Sequence, residues 1–184
     1  MDISIINIKI SPSIYIMTTK SKNIDIDKYF YSAMITKKCQ LPINKLNSNV
    51  KETIFNKLKT NFEGKCSNEG FIQQNSINII NLSIGHLQEI YVNYDVTFEC
   101  KVCYPTSDLL VECTIDNITK AGVKASLSET NNPLVIFAAR DLHLENDEFN
   151  SLEVSDNIVV KILGTRFEIG DKYIAAIAEY VKKQ

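Results

Sequence analysis

The feature that most limits how this chain folds is its last third, where five short alternating runs follow one another with little between them: DLLVECTIDNITK, GVKAS, PLVIFAARDL, NIVVKILGTRF and KYIAAIAEYV. Alternation of apolar and polar residues over such lengths is the pattern of strands that each bury one face. No run in this region has the length and period of a helix able to cover a flat sheet, so the five strands are expected to close on themselves. A small Greek-key barrel of the OB type over residues 105–184 is the economical closure. In the first run, alternation sends Leu109, Val111, Cys113 and Ile115 to one face and Glu112, Thr114 and Asp116 to the other.

Upstream, YFYSAMITKKCQL reads as a strand over residues 29–41 that Pro42 stops, because proline cannot donate the next ladder hydrogen bond. Leu46, Val50, Ile54, Leu58 and Phe62 then recur four residues apart, a stripe on one helical face, with Lys51, Asn56, Lys57 and Lys59 elsewhere. Asn49 followed by Glu52 has the form of a capping box, Asn47 is a competing cap, and the helix is expected to end before Gly64. Gly70 and Gly85 mark turns in the stretch that leads to the long alternating run EIYVNYDVTFECKVCY before Pro105. The class is therefore α+β: an N-terminal antiparallel sheet with one helix over residues 29–104, then the five-stranded barrel. Only Tyr104 to Asp108 separate the two, which predicts a semi-rigid rod. Residues 1–28 form an N-terminal extension whose runs ISIINIKI and SIYIM read as an appended strand pair.

At 184 residues the chain fits one or two small domains. Lys9, Pro12 and Lys20 interrupt the Ile-rich start, so no run approaches the ~18 apolar residues of a membrane span. That start also lacks the order of a secretory signal. The five cysteines, Cys39, Cys66, Cys100, Cys103 and Cys113, are then expected to be reduced, in a nucleus or cytosol. The net charge of −2 is unevenly spread: residues 1–94 carry 11 Lys+Arg against 7 Asp+Glu, net +4, and residues 95–184 carry 9 against 15, net −6. An acidic barrel is expected to hold nucleic acid weakly, because affinity comes mainly from neutralising phosphates.

Cys100 and Cys103 form a C-x-x-C, but a zinc site needs four ligands and no second pair accompanies it. In an alternating strand, residues three apart face opposite sides. Ordinary strand cysteines are thus favoured over a zinc site, and over a redox motif that would open a helix. His86 and His143 stand in no triad or metal pattern and read as surface or turn groups. No glycine-rich phosphate loop is present, so no catalytic residue, metal site or cofactor is assigned. On the barrel, Lys124, Phe137, Arg140, Lys161 and Arg166 are candidates for a shallow basic and aromatic strip that contacts RNA. The competing reading makes Phe137 core and the cations a solvated surface.

In order and spacing these residues resemble the seventh subunit of eukaryotic-type RNA polymerases, which like its archaeal equivalent forms the polymerase stalk. The resemblance runs from about Tyr29 to Val181. It rests on the order strand, Pro42, helix, then Glu63, Gly64 and Cys66, then Gly70, Phe71 and Ile72, then an alternating strand ending in a proline. In the barrel, ITKAG is similar to the turn between the first two strands, PLVIF to the third strand, and KILGTRF with IAAIA to the last two. Two positions depart from the family. Gly122 is followed by Val123 and Lys124, where the family usually places a stacking aromatic two residues after the glycine, and Ala178 replaces a glycine in the last strand.

The resemblance implies a non-catalytic stalk subunit of a DNA-directed RNA polymerase, near the RNA exit path, that supports initiation and handles nascent RNA, with catalysis in other subunits. It implies two protein partners: the polymerase core, and a smaller helical stalk subunit. It places the core contact at Glu63, Gly64, Lys65, Cys66, Asn68, Gly70 and Phe71. The setting would be a nucleus, or the cytoplasm and virion of a virus, with no membrane contact. The alternative is a free-standing RNA-binding adaptor of translation or RNA decay that uses the barrel alone.

Overall fold

The structure, a computed structural model, describes residues 26–46, 49–127 and 132–184, and the expected ISIINIKI and SIYIM pair lies outside these described residues. The first element is a 3-10 turn, Ile26–Tyr29, in which the Phe30 amide bonds back to the Asp27 carbonyl at 3.1 Å. This turn delays the first strand, β1 (Tyr31–Pro42), by two residues relative to the expected start. Helix α1 (Val50–Phe62) follows, capped by Asn49: its Oδ1 accepts from the Glu52 amide at 3.3 Å, and its Nδ2 donates to Glu52 Oε2 at 2.7 Å. Ile54 and Leu58 are buried, Val50 and Phe62 half-buried, and Leu46, the first residue of the expected stripe, lies before the helix.

Strands β2 (Lys65–Ser67), β3 (Gly70–Ile72), β4 (Asn78–Leu82), β5 (His86–Gln88) and β6 (Tyr91–Cys103) complete the first sheet. The long strand β6 is its spine, roughly 40 Å at strand rise. β1 pairs along its full length, from Tyr31 opposite Val102 to Pro42 opposite Tyr91. On the other side β3, β4 and β5 pair with it in turn. Alternation on β6 sends Val96, Phe98, Cys100 and Val102 into one core with Ile35, Cys39, Leu41, Ile54 and Leu58.

Strands β7 (Leu110–Ile118), β8 (Gly122–Ser126), β9 (Leu134–Ala139), β10 (Asn157–Arg166) and β11 (Ile174–Lys183) close a barrel in the order β7-β8-β9-β11-β10. β9 and β11 run parallel and every other pair is antiparallel, which is OB connectivity. Register shifts at Asp116 and Leu163 give β7 and β10 the extra bend that closure requires. Val111, Cys113 and Ile115 point into the core as alternation requires, while Leu109 lies before the strand, partly exposed. A short helix, α2 (Asp147–Asn150), bridges β9 and β10 and plugs the barrel end with Phe149.

The two cores meet at a packed joint. Cys66, Phe71 and Cys103 belong to the barrel core, while their immediate neighbours Ile72 and Val102 belong to the sheet core. Cys100 and Cys103, three apart on one strand, therefore serve different cores. The loop before β11 is stitched to β2, with Cys66 N–H donating to the Asp171 carbonyl at 2.7 Å and Gly170 N–H to the Cys66 carbonyl at 2.8 Å. Tyr104 meets Phe167 edge-on, and Tyr29 Oη accepts from the Glu112 amide at 2.9 Å. Gly70 makes the approach possible: at φ 121°, any Cβ there would lie 2.5 Å from the Cys103 carbonyl oxygen. Among the described residues no helix is long and apolar enough to cross a membrane.

Candidate nucleic-acid interface

The outer surface of the barrel shows which of the five candidate RNA residues belong together. Lys124 on β8 is directly opposite Phe137 on β9, which in turn neighbours Ile177 on β11. Phe137 is not core: 36% of its surface is exposed. Its ring lies over the backbone of Gly122, where a Cβ would meet Phe137 Cζ at 3.0 Å and the Ala138 carbonyl at 2.2 Å. Position 124 thus carries a cation, and an aromatic stands one strand across from it. Such a pair offers a base a stacking face and a phosphate a charge.

Of the other three cations, Arg140 and Lys161 are engaged within the fold, and Arg166 alone stays open beside the strip. Arg140 follows β9 in a 3-10 turn, and its guanidinium is engaged by Asn150 Oδ1 at 2.9 Å and the Thr119 carbonyl at 3.4 Å. Lys161 faces Asp108 at 2.7 Å, and that hydrogen bond raises its pKa above the usual lysine value. Arg166 stands at the barrel rim with its side chain 87% exposed and a long 3.7 Å ion pair to Glu168. Arg166 pairs with Ala175, which pairs with Val135, so its row lies two residues along β9 from Phe137.

The hairpin expected to meet the polymerase core lies instead largely inside the joint. Cys66 and Phe71 are 3% and 2% exposed, and Gly70 is enclosed by β6. The Glu63 carboxylate is buried, accepting from the Ile77 amide at 3.4 Å beside Lys59 at 4.0 Å. Gly64 N–H closes on the Ile72 carbonyl at 2.9 Å, and Lys65 Nζ donates to the Thr60 carbonyl at 2.8 Å. Of the seven, Asn68 alone is fully at the surface. At the hairpin, then, Cys66 and Phe71 face the barrel, Ile72 faces the sheet core, and the polar turn at Asn68 faces out.

The large exposed apolar surface of the sheet is at its far end. Ile84, Leu87 and Ile90 are 84%, 67% and 64% exposed, on β5 and the turns either side of it. Ile43, also exposed, is tied to them by its amide bond to the Ile90 carbonyl at 3.0 Å. A cluster of this kind at one pole marks a contact surface more often than a solvated one. Nothing in the alternation of LSIGHLQEIYV distinguishes it from a strand with one buried face, which is why sequence reading passed over it.

The cysteines hold no exposed thiol. All five are reduced and buried, and burial pushes the thiol pKa up to about 11 at Cys66 and Cys100 and about 12 at Cys103 and Cys113. His143 also departs from expectation, being 5% exposed. Its Nδ1 is 2.8 Å from the Ala139 carbonyl, its Nε2 accepts from the Tyr180 amide at 2.8 Å, and its ring stacks on Phe149 at 4.3 Å. It is a structural pin for the barrel end.

The chain is similar to a protein of Acanthamoeba polyphaga mimivirus that carries the name "Putative DNA-directed RNA polymerase subunit". The two are 22% identical over an alignment of 168 positions, covering 82% of this chain and 81% of the viral protein. The likeness therefore spans both sheets. No protein-family model matches the chain.

Proposed function

We propose that the chain is a subunit of a DNA-directed RNA polymerase, specifically a non-catalytic stalk subunit in which the sheet docks and the barrel handles nascent RNA. The observation that carries this reading is the similarity to the viral protein across most of both chains. OB connectivity and the packed joint support it, because a bracket that holds RNA at a fixed place needs two units that do not tumble separately. Catalysis resides in other subunits, and the setting is a nucleus, or the cytoplasm and virion if the source is a virus.

Docking on the polymerase core is assigned to the apolar pole of Ile43, Ile84, Leu87 and Ile90, with the outward turn at Asn68 as a secondary contact. The pole is favoured because a buried interface centre is built from apolar residues, and those of the hairpin are already engaged. A smaller helical subunit is the second partner. RNA contact is assigned to Lys124, Phe137 and Arg166. Affinity capture of the tagged chain from its native source tests the assignment: the two largest catalytic polymerase subunits are expected in stoichiometric recovery. Recovery with ribosomal or RNA-decay proteins, or of a lone monomer whose RNA affinity falls steeply with salt, would instead establish the free-standing adaptor.

A further inference from the structure

On the same outer face as Phe137 but further along β11, the barrel rim carries a cavity of about 450 Å³ lined by Arg166, Phe167, Glu168, Asp171, Lys172 and Tyr173. It lies in the loop between β10 and β11, which occupies residues 167–173. This loop is fixed from both sides. Cys66 holds it through the two backbone bonds to Asp171 and Gly170, and Asp171 Oδ2 accepts from the Glu168 amide at 2.8 Å. Tyr104 braces Phe167 edge-on at 5.7 Å. Tyr173 is 49% exposed although it directly precedes the buried Ile174. A loop held in one shape with an open aromatic face, a solvent-facing guanidinium and a lysine is a preorganised receptor.

The chemistry of these groups selects the ligand. An exposed ring beside two cations suits a base with its phosphate, since every base offers a π-face and arginine and lysine meet phosphate. Glu168 and Asp171 repel phosphate but accept from exocyclic amines, so they suit the edge of adenine, cytosine or guanine better than that of uracil. Tyr173 stands four residues before Ile177, the β11 neighbour of Phe137, a separation of roughly 13 Å along the strand. That is the span of roughly four stacked nucleotides at about 3.4 Å each. Val135 and Ala175 floor the path between them, and Arg166 borders it.

We propose that this rim cavity binds one unpaired, amine-bearing nucleobase of a single-stranded RNA, stacked on Tyr173, as the second anchor of a path that begins at Phe137. The assignment deepens the RNA-handling part of the proposed function, and rests on it only for the source of the strand. A protein side chain is the competing occupant.

The test is binding of short unstructured RNAs to the full-length chain by fluorescence polarisation at several salt concentrations. Tyr173→Ala is expected to weaken binding roughly tenfold without changing the salt slope, while Arg166→Ala lowers the slope by about one. Tyr173→Phe keeps the wild-type affinity, which separates stacking from misfolding. Oligoadenylate and oligocytidylate are expected to bind more tightly than oligouridylate. Equal binding by wild type and Tyr173→Ala, a preference for uridine, or crosslinks from the cavity to a polymerase subunit in place of RNA would overturn the proposal. Polymerase capture by Tyr173→Ala, read in parallel, is expected to match wild type. Its loss would count against the cavity as an RNA site, whereas failure of capture by wild type itself would count against the polymerase assignment alone.

Discussion

At the scale of single residues, burial decides chemistry. A thiol whose pKa is raised by burial keeps its proton in the folded state longer than in the unfolded chain. Its contribution to stability is therefore complete below the ordinary thiol value of 9.0 and is lost as pH rises towards about 11 or 12. Denaturant midpoints are expected to fall between pH 8 and pH 10, by on the order of 1 kcal/mol for each such thiol at the upper end. At neutral pH a thiol reagent is expected to react slowly with the native protein and to count all five cysteines after denaturation. A rapidly reacting native thiol would show that one of these positions opens. His143 makes a second case. Replacing it with alanine leaves the Tyr180 amide and the Ala139 carbonyl without their partners in a buried place, at about 2–3 kcal/mol by chemical denaturation. A loss below ~0.5 kcal/mol would mean the ring is not the pin described.

At the scale of elements, most of the fold was legible because each strand reports its own buried face. The five barrel runs, the stop at Pro42, the cap at Asn49 and the helix end before Gly64 all follow from local chemistry, and the structure has them where the sequence predicts. Asn49→Ala is expected to cost about 1 kcal/mol, read from thermal or denaturant unfolding. An unchanged midpoint would indicate that tertiary contacts alone set the helix start. The candidate site was less legible, for a definable reason. Alternation says that Cys66 and Phe71 face inward but not which interior they face, and the neighbour is a loop about a hundred residues further on. Lys161 and Arg140 read as free cations until the fold brings Asp108 and Asn150 to them. Tyr173 fell inside the run KYIAAIAEYV read as the last strand, whereas β11 begins at Ile174 and leaves the ring half-exposed at the rim.

At the scale of the whole molecule, β6 carries the apolar pole at one end and the joint at the other. A force or a position imposed at the pole is thus transmitted to the barrel through a continuous backbone, with the β2–β3 hairpin and the 3-10 turn bracing the junction. Docking is assigned to one end of β6, and RNA contact to the barrel that packs against its other end, roughly 40 Å of strand away. Substitutions at the pole should therefore abolish association without altering RNA affinity, and substitutions at Phe137 or Tyr173 should do the reverse.

The most direct measurement is affinity capture from the native source with the wild-type chain and with Leu87→Asp and Ile90→Asp side by side, each checked for a native thermal transition. Wild type is expected to bring down the catalytic polymerase subunits, and the two exposed-pole variants to lose them while remaining folded. Catalytic subunits recovered equally by all three chains, or by none of them, would contradict the account.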